Sequence, residues 1–144
     1  VTTSDGQHFK ARRVLLATED SAAHRLLHLP SPPPARSTTC FYFATDQSPS
    51  TDSRLVLNGD ELDRPINTVA FLSEVQPSYA PAGSSLISVS CVGHCKDESN
   101  SLRDAVIKQL QQWYGSQVNR WRHLRTYRVP HGLPPQWPFA PKTS

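Results

Sequence analysis

The chain changes its hydrophobic period several times, and each change marks a predicted element. Residues 7–11 alternate weakly, and residues 13–17 (Arg-Val-Leu-Leu-Ala) form a short apolar run; both predict strands, the second one buried. From Glu19 to Leu29 the period lengthens. Ala22, Ala23, Leu26 and Leu27 share a helical face there, Asp20 or Ser21 is placed to cap it, and Pro30 ends it. The Ser-Pro-Pro-Pro-Ala-Arg stretch that follows is a stiff extended connection. Strand period returns over residues 38–45 (Thr-Thr-Cys-Phe-Tyr-Phe-Ala-Thr) and recurs over 54–57, 67–75 and 85–92. Asn58-Gly59 is a strong turn pair, residues 76–83 form a loop, and short turn-bearing connections make antiparallel neighbours the simplest pairing.

The strongest local pattern is a helix. Leu102, Ala105, Val106, Leu110 and Trp113 share a face, Ser101 with Asp104 three residues on offers a cap, and Gly115 stands where a C-terminal cap belongs. Residues 118–129 then interleave Arg120, Arg122, Arg125 and Arg128 with Trp121, Leu124 and Tyr127, as a half-buried strand would. The proline-rich tail from Pro130 is expected to be irregular. The sum is an α+β pattern of two strands, a helix, four strands, a helix and a final extended stretch. It looks unfinished: the first two strands lack sheet partners and the tail lacks a closing element.

Composition narrows the function classes. Hydrophobic residues make up 37% and the net charge is +3, enough for a core but too little charge to argue binding to nucleic acid or a membrane surface. No apolar run approaches the roughly 18 residues of a spanning helix. Cys40, Cys91 and Cys95 cannot all pair, which points to reduced thiols in an intracellular compartment. Cys91-Val-Gly-His-Cys95 brings two thiols and an imidazole close together, but no second ligand pair accompanies them, so no metal is expected. The chain opens on Val1 and contains no Met, so the start of the translation product is expected to lie upstream.

Several segments carry a resemblance. Gly6-Gln-His-Phe-Lys-Ala11-Arg-Arg-Val14-Leu-Leu-Ala17-Thr18, followed by Ala22-Ala-His-Arg-Leu-Leu27, resembles the place in the flavin-containing amine oxidase superfamily where the chain passes between domains. The order FYFAT, LVLNG, INTVAFLSEVQPSYAPAGSSLISVS, a helix ending QLQQWYG and then HLRTYRVPHGLP is similar to a plant and cyanobacterial branch of that superfamily. That branch is akin to phytoene desaturase and protoporphyrinogen oxidase, and the resemblance runs from Gly6 to Pro135. It implies an incomplete piece of a two-domain, FAD-dependent oxidoreductase fold, dominated by the mixed or antiparallel sheet of the substrate domain. Residues 1–29 would belong to the FAD-binding domain, 30–118 to the substrate-binding domain, and 119–144 would return toward a C-terminal FAD motif. The implied partner is a small organic substrate, apolar or cyclic, to be oxidised or desaturated; the implied location is a plastid or cyanobacterial cytoplasm. The family's G-x-G-x-x-G turn, which holds the FAD pyrophosphate on backbone N–H groups, has no counterpart among glycines 6, 59, 83, 93, 115 and 132. This piece is therefore not expected to hold FAD or to work alone.

Flavin chemistry requires no nucleophile–base pair from the protein, and no catalytic residue is assigned. Ala17 and Thr18 match a strand end that passes near the cofactor in related folds, though a buried strand end would look the same. Tyr127, Pro130, His131, Leu133 and Pro134 match the stretch before the family's last cofactor motif and are candidates for the flavin side of the pocket, with His131 a candidate proton carrier. Phe41, Phe43, Phe71 and Leu86 either face substrate from the sheet or fill the core. The interleaved arginines and aromatic residues of 120–128 suggest a different class, a non-catalytic interaction module binding nucleic acid or protein. The nearly balanced charge elsewhere argues against nucleic acid.

Overall fold

A computed structural model describes residues 1–32, 34–59, 64–93 and 100–133. The chain divides into two units, Val1–Pro33 and Pro34–Ser144.

The first unit has secondary structure but no core. Val1 N–H and Phe9 N–H each donate to the other residue's carbonyl at 2.9 Å, and an isolated bridge joins Thr2 to His8 around a turn at Gly6. The strands expected over 7–11 and 13–17 do not form. Helix α1 runs over Asp20–Leu26; Glu19 is its N-cap, with no side-chain capping bond, so neither Asp20 nor Ser21 plays that part. None of the described residues of this unit is buried. Phe9, Val14, Leu16, Leu26, Leu27 and Leu29 are exposed, and Leu15 is 90% exposed. The failure of the two strands has a simple cause. A buried strand is stabilised by neighbours on both sides and by apolar cover on its faces, and this unit supplies neither.

The second unit is built on one antiparallel sheet. Its strands are β1 (Arg36–Thr45), β2 (Val56–Leu57), β3 (Thr68–Phe71), β4 (Ser85–Val92) and β5 (Arg122–Leu133), in the order β2-β3-β4-β1-β5. Residues directly opposite each other in an antiparallel pair share a face. The register sets Phe41 against Val89, Phe43 against Ile87 and Val69 against Val89, so the alternate residues of three strands form one apolar surface. Helix α3 (Asn100–Tyr114) completes it: Leu102, Val106 and Leu110 join Phe41, Phe43, Val69, Phe71, Ile87, Val89 and Cys91 in a single buried cluster. Aromatic contacts tie the ends together. Phe71 meets Tyr114 edge-on at 5.6 Å, and Tyr114 lies 5.8 Å from Trp121 at the entry to β5.

Local departures from the sequence pattern each have a cause. The run 67–75 is strand only to Phe71; Leu72–Val75 forms one helical turn, α2, and Ser73 Oγ accepts the N–H of Leu86 at 2.7 Å, locking that turn to the start of β4. Ser101 lies inside α3 rather than at its cap, and Ala105 is exposed, while Gln109 takes a buried place on the inner face. The stretch 118–129 is not one half-buried strand. Residues Gly115–Arg120 form a 3-10 helix, entered through Gly115 at φ 72°, and β5 begins only at Arg122. Pro130 does not end β5, which continues to Leu133; an edge strand leaves one row of N–H groups unpaired, so a residue without an N–H is tolerated there. Pro134 and the rest of the tail lie outside the described residues.

Candidate functional site

The two faces of the sheet differ. One is sealed by α3. The other carries Cys40, Tyr42 and Ala44 of β1, Leu86, Ser88 and Ser90 of β4, and Arg125 and Tyr127 of β5, and no described helix covers it. Every one of these β1 and β4 side chains is half-buried rather than buried. Between β1 and β5 the register slips: Tyr42 opposes Arg125, but Phe43 opposes His123, leaving Leu124 as the extra residue of a bulge. The bulge brings Leu124 and Arg125 together beside Tyr42.

An open cleft of about 460 Å³ results, lined by Tyr42, Leu86, Leu124, Arg125 and Tyr127. Its aromatic wall is ordered. The rings of Tyr42 and Tyr127 meet edge-to-face at 5.7 Å, and the Arg125 guanidinium carbon stands 5.2 Å from the centre of the Tyr127 ring. No carboxylate among the described residues pairs with Arg125. A smaller cleft of about 190 Å³ lies against Thr45, Asp46, Gln47, Gln117 and Arg120, with both charge signs in its lining.

The candidates read from sequence separate on these faces. Tyr127 and Leu86 both line the larger cleft. Phe41, Phe43 and Phe71 do not face a substrate; they are buried under α3, 3%, 2% and 1% exposed. The alternation of β1 contained this answer, since Phe41 and Phe43 share parity and Tyr42 takes the other face. Arg125 and Leu124 did not stand out as candidates because their meeting with Tyr42 depends on the bulge, which no residue type announces. Pro130, His131 and Leu133 are exposed on β5, and Pro134 lies outside the described residues. Ala17 and Thr18 are exposed in the first unit, outside any strand; the Thr18 hydroxyl donates to the Glu19 carbonyl at 3.3 Å.

The thiols sit on opposite faces. Thr39 opposes Cys91 on the core face, whereas Cys40 opposes Ser90 on the open face, so their side chains point apart and cannot be bridged. Burial raises the Cys40 thiol above its ordinary value, and burial together with the neighbouring Cys40 pushes Cys91 up to about 12. His94 and Cys95 of the Cys-x-x-His-Cys stretch lie outside the described residues. In a Cys95→Ser background, iodoacetamide at neutral pH is expected to alkylate Cys40 slowly and Cys91 only on unfolding, because the thiolate is the nucleophile. Native-state labelling of Cys91 as fast as Cys40, followed by mass spectrometry, would contradict this placement.

The described residues do not form a cradle for the pyrophosphate of a dinucleotide. That cradle is a strand, a glycine turn and a helix N-terminus in succession. Helix α1 has only seven residues and follows no strand, and the glycine nearest before it is Gly6. Among the described residues, no group of three or more His, Cys, Asp or Glu could hold a metal ion, and no helix is long and apolar enough to cross a membrane. What the second unit offers instead is a wall, apolar and aromatic, with the Arg125 guanidinium lining its cleft.

Several solved structures resemble part of this chain. An oxidoreductase from Methanosarcina mazei matches at 17% identity and a TM-score of 0.47, over 83% of this chain and 27% of that one. A protein from Pyrococcus furiosus matches at 17% identity and a TM-score of 0.52, over 79% of this chain and 26% of that one. A candidate protoporphyrinogen oxidase from an Exiguobacterium species matches at 15% identity and a TM-score of 0.53, over 70% of this chain and 24% of that one. At these identities the last two likenesses speak to fold, and the chain spans about a quarter of the length of the proteins it matches. No curated protein matches the chain. The family model described as flavin containing amine oxidoreductase matches residues 1–143, nearly the whole sequence. The chain belongs to the flavin containing amine oxidoreductase family.

Proposed function

We propose that this chain is the substrate-facing portion of an FAD-dependent oxidoreductase that oxidises or desaturates a small organic molecule with an apolar or cyclic body. On this proposal the chain is one segment of a longer polypeptide. Residues 1–29 belong to its FAD-binding domain, 30–118 to its substrate-binding domain, and 119–144 lead back toward the flavin, which other segments hold by the pyrophosphate. Ala17, Thr18, Tyr127, Pro130, His131, Leu133 and Pro134 are the residues proposed to approach the cofactor or line its side of the pocket. On the same proposal the protein belongs to the phytoene desaturase-like branch of plants and cyanobacteria, and so works in a plastid or in cyanobacterial cytoplasm.

The observation that carries the proposal is the asymmetry of the sheet. One face is packed to below a tenth exposed beneath α3, while the other presents Tyr42, Leu86, Leu124 and Tyr127 to an open cleft. Ligand sites are concave and mostly apolar with a few placed polar groups, and a half-covered sheet face supplies one wall of such a site. The work of these residues is to bind and orient the substrate and to keep water away from it. The bare apolar residues of the first unit support the same proposal, since Leu15, Val14 and Phe9 have the composition of strands that pair inside a larger sheet.

The full polypeptide that carries this chain is expected to purify as a yellow protein with a flavin absorption spectrum, bleached anaerobically by its substrate. A polypeptide that carries no flavin, and takes up none when refolded with FAD, would overturn the proposal.

A further inference from the structure

We infer that the cleft between β1 and β5 selects a carboxylate-bearing substrate, an aromatic or cyclic body with an anionic group held by Arg125, and that it rejects simple amines. This inference rests on the proposal that the open sheet face is a substrate wall.

Charge carries the argument. The five strands contain no Asp or Glu at all, whereas β5 alone carries Arg122, Arg125 and Arg128. Arg125 and Arg122 both lie on the open face, opposite Tyr42 and Ala44. A substrate ammonium entering this cleft would meet one or two guanidinium groups and no compensating carboxylate from the strands; a carboxylate would meet a ready partner. Arg125 is also prearranged. Its guanidinium carbon stands 5.2 Å from the Tyr127 ring centre, and that ring is held edge-on by Tyr42 at 5.7 Å. A guanidinium stacked on an aromatic face keeps its N–H fork free along the rim, and the fork matches a carboxylate with two parallel hydrogen bonds. Tyr42, Tyr127, Leu86 and Leu124 then supply flat apolar surface for the remainder of the molecule. The bulge at Leu124 makes the arrangement specific: without the extra residue, Arg125 and Leu124 would not both reach Tyr42.

The test uses three probes of one shape, 2-naphthoate, 2-naphthamide and 2-naphthylmethylamine, titrated into the full polypeptide that carries this chain and followed by ligand-observed NMR. The expected order of affinity is naphthoate, then naphthamide, then the ammonium, with naphthoate ahead of naphthamide by roughly tenfold, the worth of one charge-assisted pair. Arg125→Gln is expected to remove that tenfold preference and leave naphthamide unchanged. Lys108→Gln, which removes the same charge from the exposed side of α3, is expected to change nothing. Tyr127→Ala is expected to weaken naphthoate and naphthamide alike. Equal binding of the three probes, no saturable naphthoate binding, or a preference that survives Arg125→Gln would each overturn the inference. These readouts need no flavin. A preference for naphthoate in a polypeptide that never binds flavin would sink the oxidoreductase proposal and spare the anion site; a flavoprotein without the preference would do the reverse.

Discussion

Phe43→Ala is expected to lower the unfolding free energy by about 3–5 kcal/mol, the cost of deleting a large aromatic side chain from a packed core. Phe43 is 2% exposed and central to the aromatic cluster: its ring lies 6.1 Å from Trp121, 6.5 Å from Phe41 and 5.6 Å from His123. The ring therefore joins β1 to the entry of β5 as well as filling space under α3. Against a total stability of roughly 5–15 kcal/mol for a domain of ordinary size, this loss would leave the second unit marginal. Urea denaturation gives the measurement, read as a shift in midpoint at constant slope. The neighbouring Tyr42→Ala supplies the control. It removes a ring of similar size from the open face, where the side chain is only half-buried, and should cost no more than about 1.5 kcal/mol. Equal losses for the two variants would mean that the assigned faces of β1 are wrong.

The second large effect concerns a polar group. Gln109 is 3% exposed on the inner face of α3, and its Oε1 accepts the backbone N–H of Ile66 at 3.1 Å. Ile66 is itself 1% exposed, just before β3, so this bond fixes the helix against the chain that leads into the sheet. Gln109→Leu is expected to cost about 1–3 kcal/mol, because the Ile66 N–H would stay buried without an acceptor. The loss is partly offset. Gln109 Nε2 is buried and has no hydrogen-bond partner among the described residues, and leucine removes that unsatisfied group. Gln112→Leu, three residues on, tests the distinction. Gln112 is exposed and accepts from Arg64 Nη1 at 2.6 Å in solvent, so its replacement should change stability by less than about 0.5 kcal/mol. Amide exchange at Ile66 would supply the local readout: faster exchange in Gln109→Leu and unchanged exchange in Gln112→Leu is the expected pair of results.

The family description and the cleft chemistry pull in different directions, which makes the probe experiment informative about substrate. The family is described as flavin containing amine oxidoreductase, while the strands of this chain hold arginines and no carboxylate. Fold and substrate are separable in general because a site is a set of side chains placed on a shared fold. Tyr42, Arg125 and Tyr127 occupy positions that other sequences could fill with different groups while leaving the core parity untouched.

The sequence by itself determined the elements whose pattern is dictated by a face. Strand β4 and the core of β1 were legible because alternate residues must be apolar when one side is packed, and α3 because Leu102, Val106 and Leu110 recur at helical spacing. Gly115 was legible as the end of α3 because few other residues adopt a positive φ without strain. The resemblance to the flavin-containing amine oxidase superfamily was legible too, and the family match over residues 1–143 agrees with it at that level. Tertiary structure alone decided the rest. Residues 13–17 have strand composition but pair with no other described residues of their unit, and a strand without partners does not form. Residues 72–75 continue an apolar run yet turn helical, and Ser73 in that turn accepts the Leu86 N–H from a strand further along the chain. Pro130 reads as a stop and is not one, because β5 lies at the sheet edge. The meeting of Arg125, Leu124 and Tyr42 depends on a single unpaired residue in the β1–β5 ladder. Local preference fixes which residues alternate; which strands become neighbours, and where their register slips, depends on contacts between segments far apart in the chain.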